Sequence, residues 1–289
     1  MLACDYRRVI TQPASVLYSE KLNGIRCVFF NGVAYSRTLK PIPNEEIQKI
    51  AKEHKYGIEG CDAEIISGDK YALDVLHRSD SFCMSKGKID NFTINIFDVY
   101  DPSLNWFDRT NKIKTLIENG CYPEHVSFLE HIPATEIELE VYKDKIISMG
   151  GEGVVIRNPY SLYKFGRSGI HNPELQKVKP YFDDEFMVVG YTQLETNKNE
   201  TFLNELGHTK RSTSKLGKSK VEALGSIIVE KENIRFNVGS GFTLEERTML
   251  WKIRDTLFGK YAKIKYTSIS YNKIPLQPIF LCFRNKIDM

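Results

Sequence analysis

The chain has 289 residues, 42% of them hydrophobic and 27% charged, with a formal net charge of +3 at pH 7. That length exceeds one ordinary core and suits two, since domains commonly hold roughly 100–150 residues, and the composition excludes a largely disordered or fibrous chain. So small a charge also excludes a surface that attracts polyanions as a whole, so any nucleic-acid role has to rest on local clusters of Lys and Arg.

Six cysteines (Cys4, Cys27, Cys61, Cys83, Cys121, Cys282) are scattered without CxxC or metal-ligand spacing, several in apolar runs where a thiol packs. This pattern points to a reducing, cytosol-like compartment. The opening "MLACDYRRVITQPA" lacks the apolar stretch of a secretion signal, and no run reaches the roughly 20 residues of a membrane span. The expectation is a soluble intracellular protein.

In chain order, "YSEKLNGIRCVFF" (Tyr18–Phe30) sets Lys21, Asn23, Gly24 and Arg26 between apolar runs. A glycine at a strand end signals a close approach of backbone or ligand, so the polar interruption reads as a site. Asn31-Gly32 between two strand-like runs predicts a two-residue hairpin. Asn44, followed by Glu-Glu and by Ile47, Ile50 and Ala51, predicts a capped amphipathic helix stopping at Gly57. "GIEGCDAEIIS" and "NFTINIFDVY" read as strands. "DRTNKIKTLIENG" reads as a helix with Asp108 as N-cap and Gly120 as C-cap, and a further helix is expected from Ala134 to Ser148. "EGVVIRNP" is a strand cut short by Pro159.

Past Lys179-Pro180 the character changes. "DDEFMVVGYTQLE" is a strand, and residues 196–224 turn polar; "HTKRSTSKLGKSK" there carries Lys210, Arg211, Lys215, Lys218 and Lys220 with no acid. This reads either as a solvated loop or as a phosphate-binding element. "GSIIVE", "IRFNVGSGF", a helix from Thr243 with a Thr243/Glu246 capping box, "KYAKIKY" and "PIFLCFR" follow. About five short strands and one helix in so few residues suit a small OB-like barrel. The boundary is placed near residue 182, giving units 1–182 and 183–289.

No G-x-G-x-x-G in a strand-to-helix context, no P-loop, no H-E-x-x-H, no Cys/His cluster and no G-x-S-x-G is present, which argues against dinucleotide-binding, zinc and acyl-hydrolase chemistry. What remains is a set in fixed order: Lys21, Glu64 in "DAEI", Phe97-Asp98 in "IFDVY", Glu152 in "EGVVIR", and Lys177 with Lys179 in "LQKVK". Nucleotidyl transfer to an amine calls for these groups. Desolvation or a neighbouring cation activates a lysine, a carboxylate holds a metal, lysines two apart on a strand neutralise phosphate oxygens, and an aromatic ring stacks on a purine.

The order "KLNGIR", "SRTLKPIPN", "DAEI", "FDVY", "EGVVIR", "LQKVK" resembles the covalent nucleotidyltransferases, that is, ATP-dependent DNA ligases, RNA ligases and mRNA capping enzymes. It is most similar to the minimal virus-encoded ATP-dependent DNA ligases of the chlorella-virus type. "YKFGRS", the "KRSTSKLGK" loop before "GSIIVE", and "PIFLCFRNKID" extend the resemblance from about residue 15 to the C-terminus. It implies an α+β fold: an ATP-grasp-like nucleotidyltransferase domain with antiparallel sheets and helices, then a small OB-fold β-barrel carrying a latch at about 196–224.

The resemblance also implies the chemistry. Lys21 carries AMP as a phosphoramidate; Leu22 lies in the nucleotide pocket; Arg26 contacts the ribose or nick terminus and Glu64 the ribose hydroxyl. Phe97 stacks on adenine, Glu152 serves magnesium or manganese, and Lys177 and Lys179 contact the α-phosphate. Arg37 and Arg167 grip the 5′-phosphate of the nick, Asn23 faces the nick, and Asp288 orients pyrophosphate. Lys210, Arg211, Lys215, Lys218 and Lys220 belong to a latch on duplex DNA. ATP is the cofactor, nicked duplex DNA the partner, and the protein is a monomer in the cytoplasm or nucleus of an infected host cell. Two positions depart from the pattern: Asn23 stands where the family has aspartate, and Leu276-Gln277 stands where an arginine precedes Pro-x-Phe. The alternatives on the same scaffold are an RNA ligase, a capping guanylyltransferase, or a nucleic-acid binder without catalysis.

Overall fold

The computed structural model describes residues 1–6, 16–87, 91–133, 135–171 and 173–284, and the chain divides into two units, Met1–Lys179 and Pro180–Met289. The first unit holds strands β1 (Cys4–Asp5), β2 (Leu17–Glu20), β3 (Ile25–Phe30), β4 (Val33–Ser36), β5 (Cys61–Ser67), β6 (Phe92–Val99), β7 (Val126–Phe128), β8 (Ile132–Pro133), β9 (Val154–Arg157) and β10 (Leu175–Val178). Its helices are α1 (Glu45–Glu53), α2 (Lys55–Ile58), α3 (Val75–Met84), α4 (Trp106–Glu118) and α5 (Glu136–Ser148). One sheet runs β4-β3-β5-β6-β7 and a second runs β1-β10-β9-β2-β8.

The first sheet buries Phe29, Ala63, Ile65, Ile94 and Ile96 against Ile47 and Ile50 of α1, Phe82 of α3 and Ile113 of α4. The second packs Tyr18, Val154 and Ile156 against Leu139 and Ile146 of α5. The Asn31-Gly32 turn joins β3 to β4 with both residues at positive φ (51° and 72°), as an Asn-Gly hairpin requires.

Several predicted limits move. The helix capped by Asn44 ends at Glu53, and α2 then continues through Gly57, so this glycine does not stop the helix. The N-cap of α4 is Asn105, whose Oδ1 accepts from Asp108 N at 3.1 Å; Asp108 sits inside the first turn, because Trp106 and Phe107 already belong to the helix. Asn119 is the C-cap there, with Gly120 just beyond it at φ 70°. For α5, Thr135 forms a capping box with Glu138; the predicted start at Ala134 lies outside the described residues.

Helix α3 escapes the sequence reading because its inward positions are Val75, Ser79, Phe82 and Cys83. The spacing is helical, but a serine interrupts the apolar row; its Oγ accepts from Ser67 N at 3.0 Å.

The second unit holds β11 (Phe182–Asn197), β12 (Thr201–Leu203), β13 (Thr209–Arg211), β14 (Lys218–Lys231), β15 (Ile234–Val238), β16 (Tyr261–Tyr266), β17 (Ser268–Ile269), β18 (Pro275–Leu276), β19 (Ile279–Arg284) and helix α6 (Leu244–Lys252). The strand order β15-β14-β11-β16-β19, with a bridge from Ser240 to Ile279 joining its ends, rolls the sheet towards a barrel around Val188, Leu224, Ile227, Val238 and Ile264. Helix α6 carries the predicted Thr243/Glu246 capping box.

Residues 196–224 are not a plain loop. Strands β11 and β14 stay paired out to Asn197↔Lys218, and β12 pairs with β13 as a small hairpin beyond them. Such a ribbon is wet on both faces, so no alternation of apolar and polar residues marks it in the sequence. Among the described residues no helix is long and apolar enough to cross a membrane.

Candidate active site

Backbone pairing builds the centre of the site. Strand β2 pairs antiparallel with β9 up to Glu20↔Val154, so Lys21, the next residue, falls beside Glu152 and Gly153, and its N–H donates to Gly153 O at 2.9 Å. Strand β9 pairs in turn with β10 up to Val154↔Val178, which delivers Lys179 to the same place. The Glu152 carboxylate is consequently gripped from both sides, Lys21 Nζ donating to Oε2 and Lys179 Nζ to Oε1. Gly153 makes this convergence possible: it has φ 134°, and a Cβ there would lie 2.2 Å from Val178 O. The three side chains remain 25% (Lys21), 17% (Glu152) and 13% (Lys179) exposed, open enough for a ligand to reach.

The polar interruption after β2 has a geometric cause as well. A Cβ on Gly24 would lie 2.2 Å from Ile65 O, so only glycine lets β3 run this close to β5. Gly24 N–H then donates to Glu64 Oε1 at 3.2 Å. Burial, reinforced by Glu152, pushes the Glu64 carboxyl up to about 7 although Lys21 and the Gly24 N–H pull it down. Leu22 turns inward and packs on Ile66 and Val75, anchoring the lysine loop. Asn23 is half-buried in that loop.

Two predicted members have partners of their own. Arg26 lies opposite Glu64 in the β3–β5 register, yet its guanidinium reaches diagonally to Asp62, Nε to Oδ1 at 2.7 Å and Nη2 to Oδ2 at 2.5 Å. Any ribose contact from Arg26 therefore falls to Nη1. Lys177 does not join Lys179 on Glu152; its Nζ lies 3.1 Å from Asp5 Oδ1 on the neighbouring β1. Phe97 is half-buried near the end of β6, in the stretch where the β5–β6 register shifts between Ala63↔Ile96 and Asp62↔Asp98.

Arg37 and Arg167 are both exposed, and Arg167 Nη1 donates to Ala3 O at 2.8 Å. In the second unit Lys210, Arg211, Lys215, Lys218 and Lys220 are all exposed on the hairpin and the adjoining ends of its ribbon. The stretch is free of acids in sequence but not in space, because Glu195 lies opposite Lys220 across the ladder. Asp288 lies outside the described residues.

A buried layer lies behind these groups, of which the sequence singled out Asp98 but not its partners. Asp98 is held by Arg109, Nε to Oδ1 at 2.6 Å, and by Arg157, Nη1 to Oδ2 at 2.7 Å. Asp62 accepts from Tyr163 Oη at 3.0 Å as well as from Arg26. Burial alone raises Asp98, but the two guanidinium groups outweigh it and hold the carboxyl below its ordinary value. Asp62 was findable: it stands two residues before Glu64, on the same strand face.

The site is thus a strand-end lysine paired to a carboxylate with a second lysine, in an α+β unit followed along the chain by a unit that matches an OB-like domain. Residues 217–284 match the family model of the DNA ligase OB-like domain. The DNA ligase of African swine fever virus (a tick isolate from Malawi) is 25% identical over 293 residues, covering 93% of this chain and 63% of the viral protein. The chain thus spans a little under two thirds of that relative's length. The DNA ligase of Haemophilus influenzae is 26% identical over 255 residues, covering 85% of this chain and 80% of the bacterial one. Among solved structures, a Lig E DNA ligase shares the fold with a TM-score of 0.74 at 22% identity over 98% of both chains. The chlorella virus DNA ligase-adenylate is 28% identical, with a TM-score of 0.53 over 99% of this chain and 97% of that one. Over most of its length the chain is thus similar to viral and bacterial DNA ligases.

Proposed function

We propose that this protein is an ATP-dependent DNA ligase that seals 5′-phosphate/3′-hydroxyl nicks in duplex DNA, acting as a monomer. The observation that carries the reading is the convergence of Lys21, Glu152 and Lys179 from three strand ends into one reachable cluster. In the first step the Lys21 Nζ lone pair attacks the α-phosphorus of ATP. A P–N bond forms, the bond from that phosphorus to the bridging oxygen breaks, pyrophosphate leaves, and the amine proton passes to water. The P–N bond then breaks as the 5′-phosphate of the nick takes up AMP. Finally the 3′-hydroxyl attacks that phosphate and AMP departs.

Each residue has a role in that sequence. Lys179 neutralises the α-phosphate oxygens as Lys21 turns from Glu152 to the phosphorus, and Lys177 does so after leaving Asp5. Glu64 accepts from a ribose hydroxyl, Arg26 approaches the sugar through Nη1, and Phe97 stacks on adenine. Arg37, Arg167 and Asn23 meet the nick, and Asp288 orients pyrophosphate.

A divalent cation, magnesium or manganese, fits at Glu152. Magnesium is commonly held by one or two carboxylates plus substrate phosphates, and Glu152 is a reachable carboxylate between two phosphate-binding lysines. When bound, the ion supplies charge neutralisation at the phosphates.

The OB-like domain match supports DNA over RNA or a cap as the acceptor. The exposed cations of the β12–β13 hairpin and its ribbon supply the phosphate contacts of a latch. The test is a sealing assay with ATP and magnesium on nicked duplex DNA, beside nicked RNA and a GTP transfer reaction. Sealing of the DNA nick is expected, faster for Asn23→Asp than for wild type; transfer from GTP, or sealing of RNA alone, contradicts the reading.

A further inference from the structure

The purine platform assigned to Phe97 rests on a buried support that does not reach the nucleotide. Phe97 falls in the β6 irregularity, between Ile96, paired with Ala63, and Asp98, paired with Asp62, so the regular ladder does not fix the direction of its ring. What grips it is the indole of Trp106, whose Nε1–H donates to Phe97 O at 3.1 Å. Trp106 is itself immobilised. The residue is 5% exposed, its ring lies against His131 with centroids 4.5 Å apart and has the Arg157 guanidinium of β9 5.5 Å from it, and its backbone N–H donates to Pro159 O.

The next residue is held as firmly. Asp98 receives Arg109 and Arg157, and Arg109 Nη1 also donates to Leu104 O at 3.1 Å and Ser161 O at 2.8 Å. His131 completes the wedge: its Nδ1 lies 2.7 Å from Leu129 O, and burial with the nearby Arg157 pushes its pKa down to about 3, so the ring stays neutral and apolar towards the indole.

We propose that Trp106 is a positioning residue for nucleotide binding: through its N–H to the Phe97 carbonyl it sets the pitch of the Phe97 ring, and so the affinity for the adenine base, without touching ATP. This inference rests on the stacking role of Phe97 proposed above. The hydrogen bonds of Trp106 run to Phe97, Pro159 and Thr110 and not to Lys21, Glu64, Glu152 or Lys179, so its loss is expected to act on binding and to leave the phosphoryl steps alone.

The experiment compares Trp106→Phe, which keeps a ring in the wedge and removes the N–H, with wild type. Readouts are equilibrium binding of α,β-methylene-ATP, which cannot transfer its adenylate, the KM for ATP and kcat of self-adenylylation, and thermal unfolding. Expected is roughly ten-fold weaker analogue binding and a matching rise in KM, the scale of one neutral hydrogen bond, with kcat within about two-fold of wild type. Replacement of Trp106 by benzothienylalanine, which keeps the indole shape and lacks the N–H, gives the same binding loss if the phenylalanine variant fails to fold. In a Phe97→Ala background either substitution has no further effect on binding. Unchanged analogue affinity with a lowered unfolding temperature, or an equal loss in kcat, overturns the proposal. Phe97→Ala alone separates the two readings: if that variant binds the analogue as wild type does, the stacking role itself fails.

Discussion

Two carboxylates in this protein are each gripped by two cations, and they do opposite work. Glu152 sits between Lys21 and Lys179 with side chains 25%, 17% and 13% exposed for Lys21, Glu152 and Lys179, whereas Asp98 sits between Arg109 and Arg157 with none of the three more than 2% exposed. The buried trio uses guanidinium groups, whose several fixed donors satisfy a carboxylate and backbone carbonyls together. The open trio uses lysines, single charges on flexible stems that water can reach, and in the proposed reaction they exchange the carboxylate for a phosphate oxygen. The same charge arithmetic gives a fixed support where water is excluded and an exchangeable site where it is not.

Breaking each trio tests that contrast. Asp98→Asn strands two guanidinium groups in the interior, and removal of one partner of a buried pair costs about 3–5 kcal/mol, read as a fall in the urea midpoint. Glu152→Gln is expected to shift stability by less than about 1 kcal/mol, because the pair is partly solvated, while the rate of self-adenylylation falls by roughly 100-fold or more. Equal stability losses in the two variants would erase the distinction.

Glu64, beside the open trio, sharpens it through pH. Its carboxyl is raised from 4.5 to about 7 in the folded protein. A group raised in this way contributes stability that is fully present below pH 4.5 and is lost as pH rises through 7. Glu64→Gln removes that loss, so from pH 5 to pH 8 the variant is expected to gain on wild type by on the order of 2 kcal/mol. Parallel stability profiles would contradict the burial assigned to Glu64. The smallest effect belongs to the second unit: Lys218→Ala with Lys220→Ala is expected to lower the salt slope of binding to nicked duplex DNA by up to about 2, leaving self-adenylylation unchanged.

The sequence made the open site legible and the buried support much less so. Lys21, Glu152 and Lys179 stand at strand ends, where charge between apolar runs is conspicuous, and Gly24 and Gly153 mark the close approaches that gather them. Asp98 and Arg157 were in view inside "FDVY" and "EGVVIR", but a charge within an apolar strand carries no sign of which partner cancels it. Trp106 and Phe107 hid the true cap of α4 at Asn105, and Ser79 hid α3, in each case because a residue of unexpected type holds a position that tertiary contacts define. The outer end of the β11–β14 ribbon, with β12 and β13 in residues 196–224, left open a loop or a phosphate-binding element, since strands wet on both faces leave no period to read.

The most direct test of the account is incubation of the protein with ATP labelled at the α-phosphate, with magnesium, followed by mapping of the label along the chain. The account predicts one equivalent of acid-labile AMP on the peptide containing Lys21, abolished by Lys21→Ala and preserved in Lys177→Ala, even if slowed. Label on another residue, or undiminished label after Lys21→Ala, would contradict it.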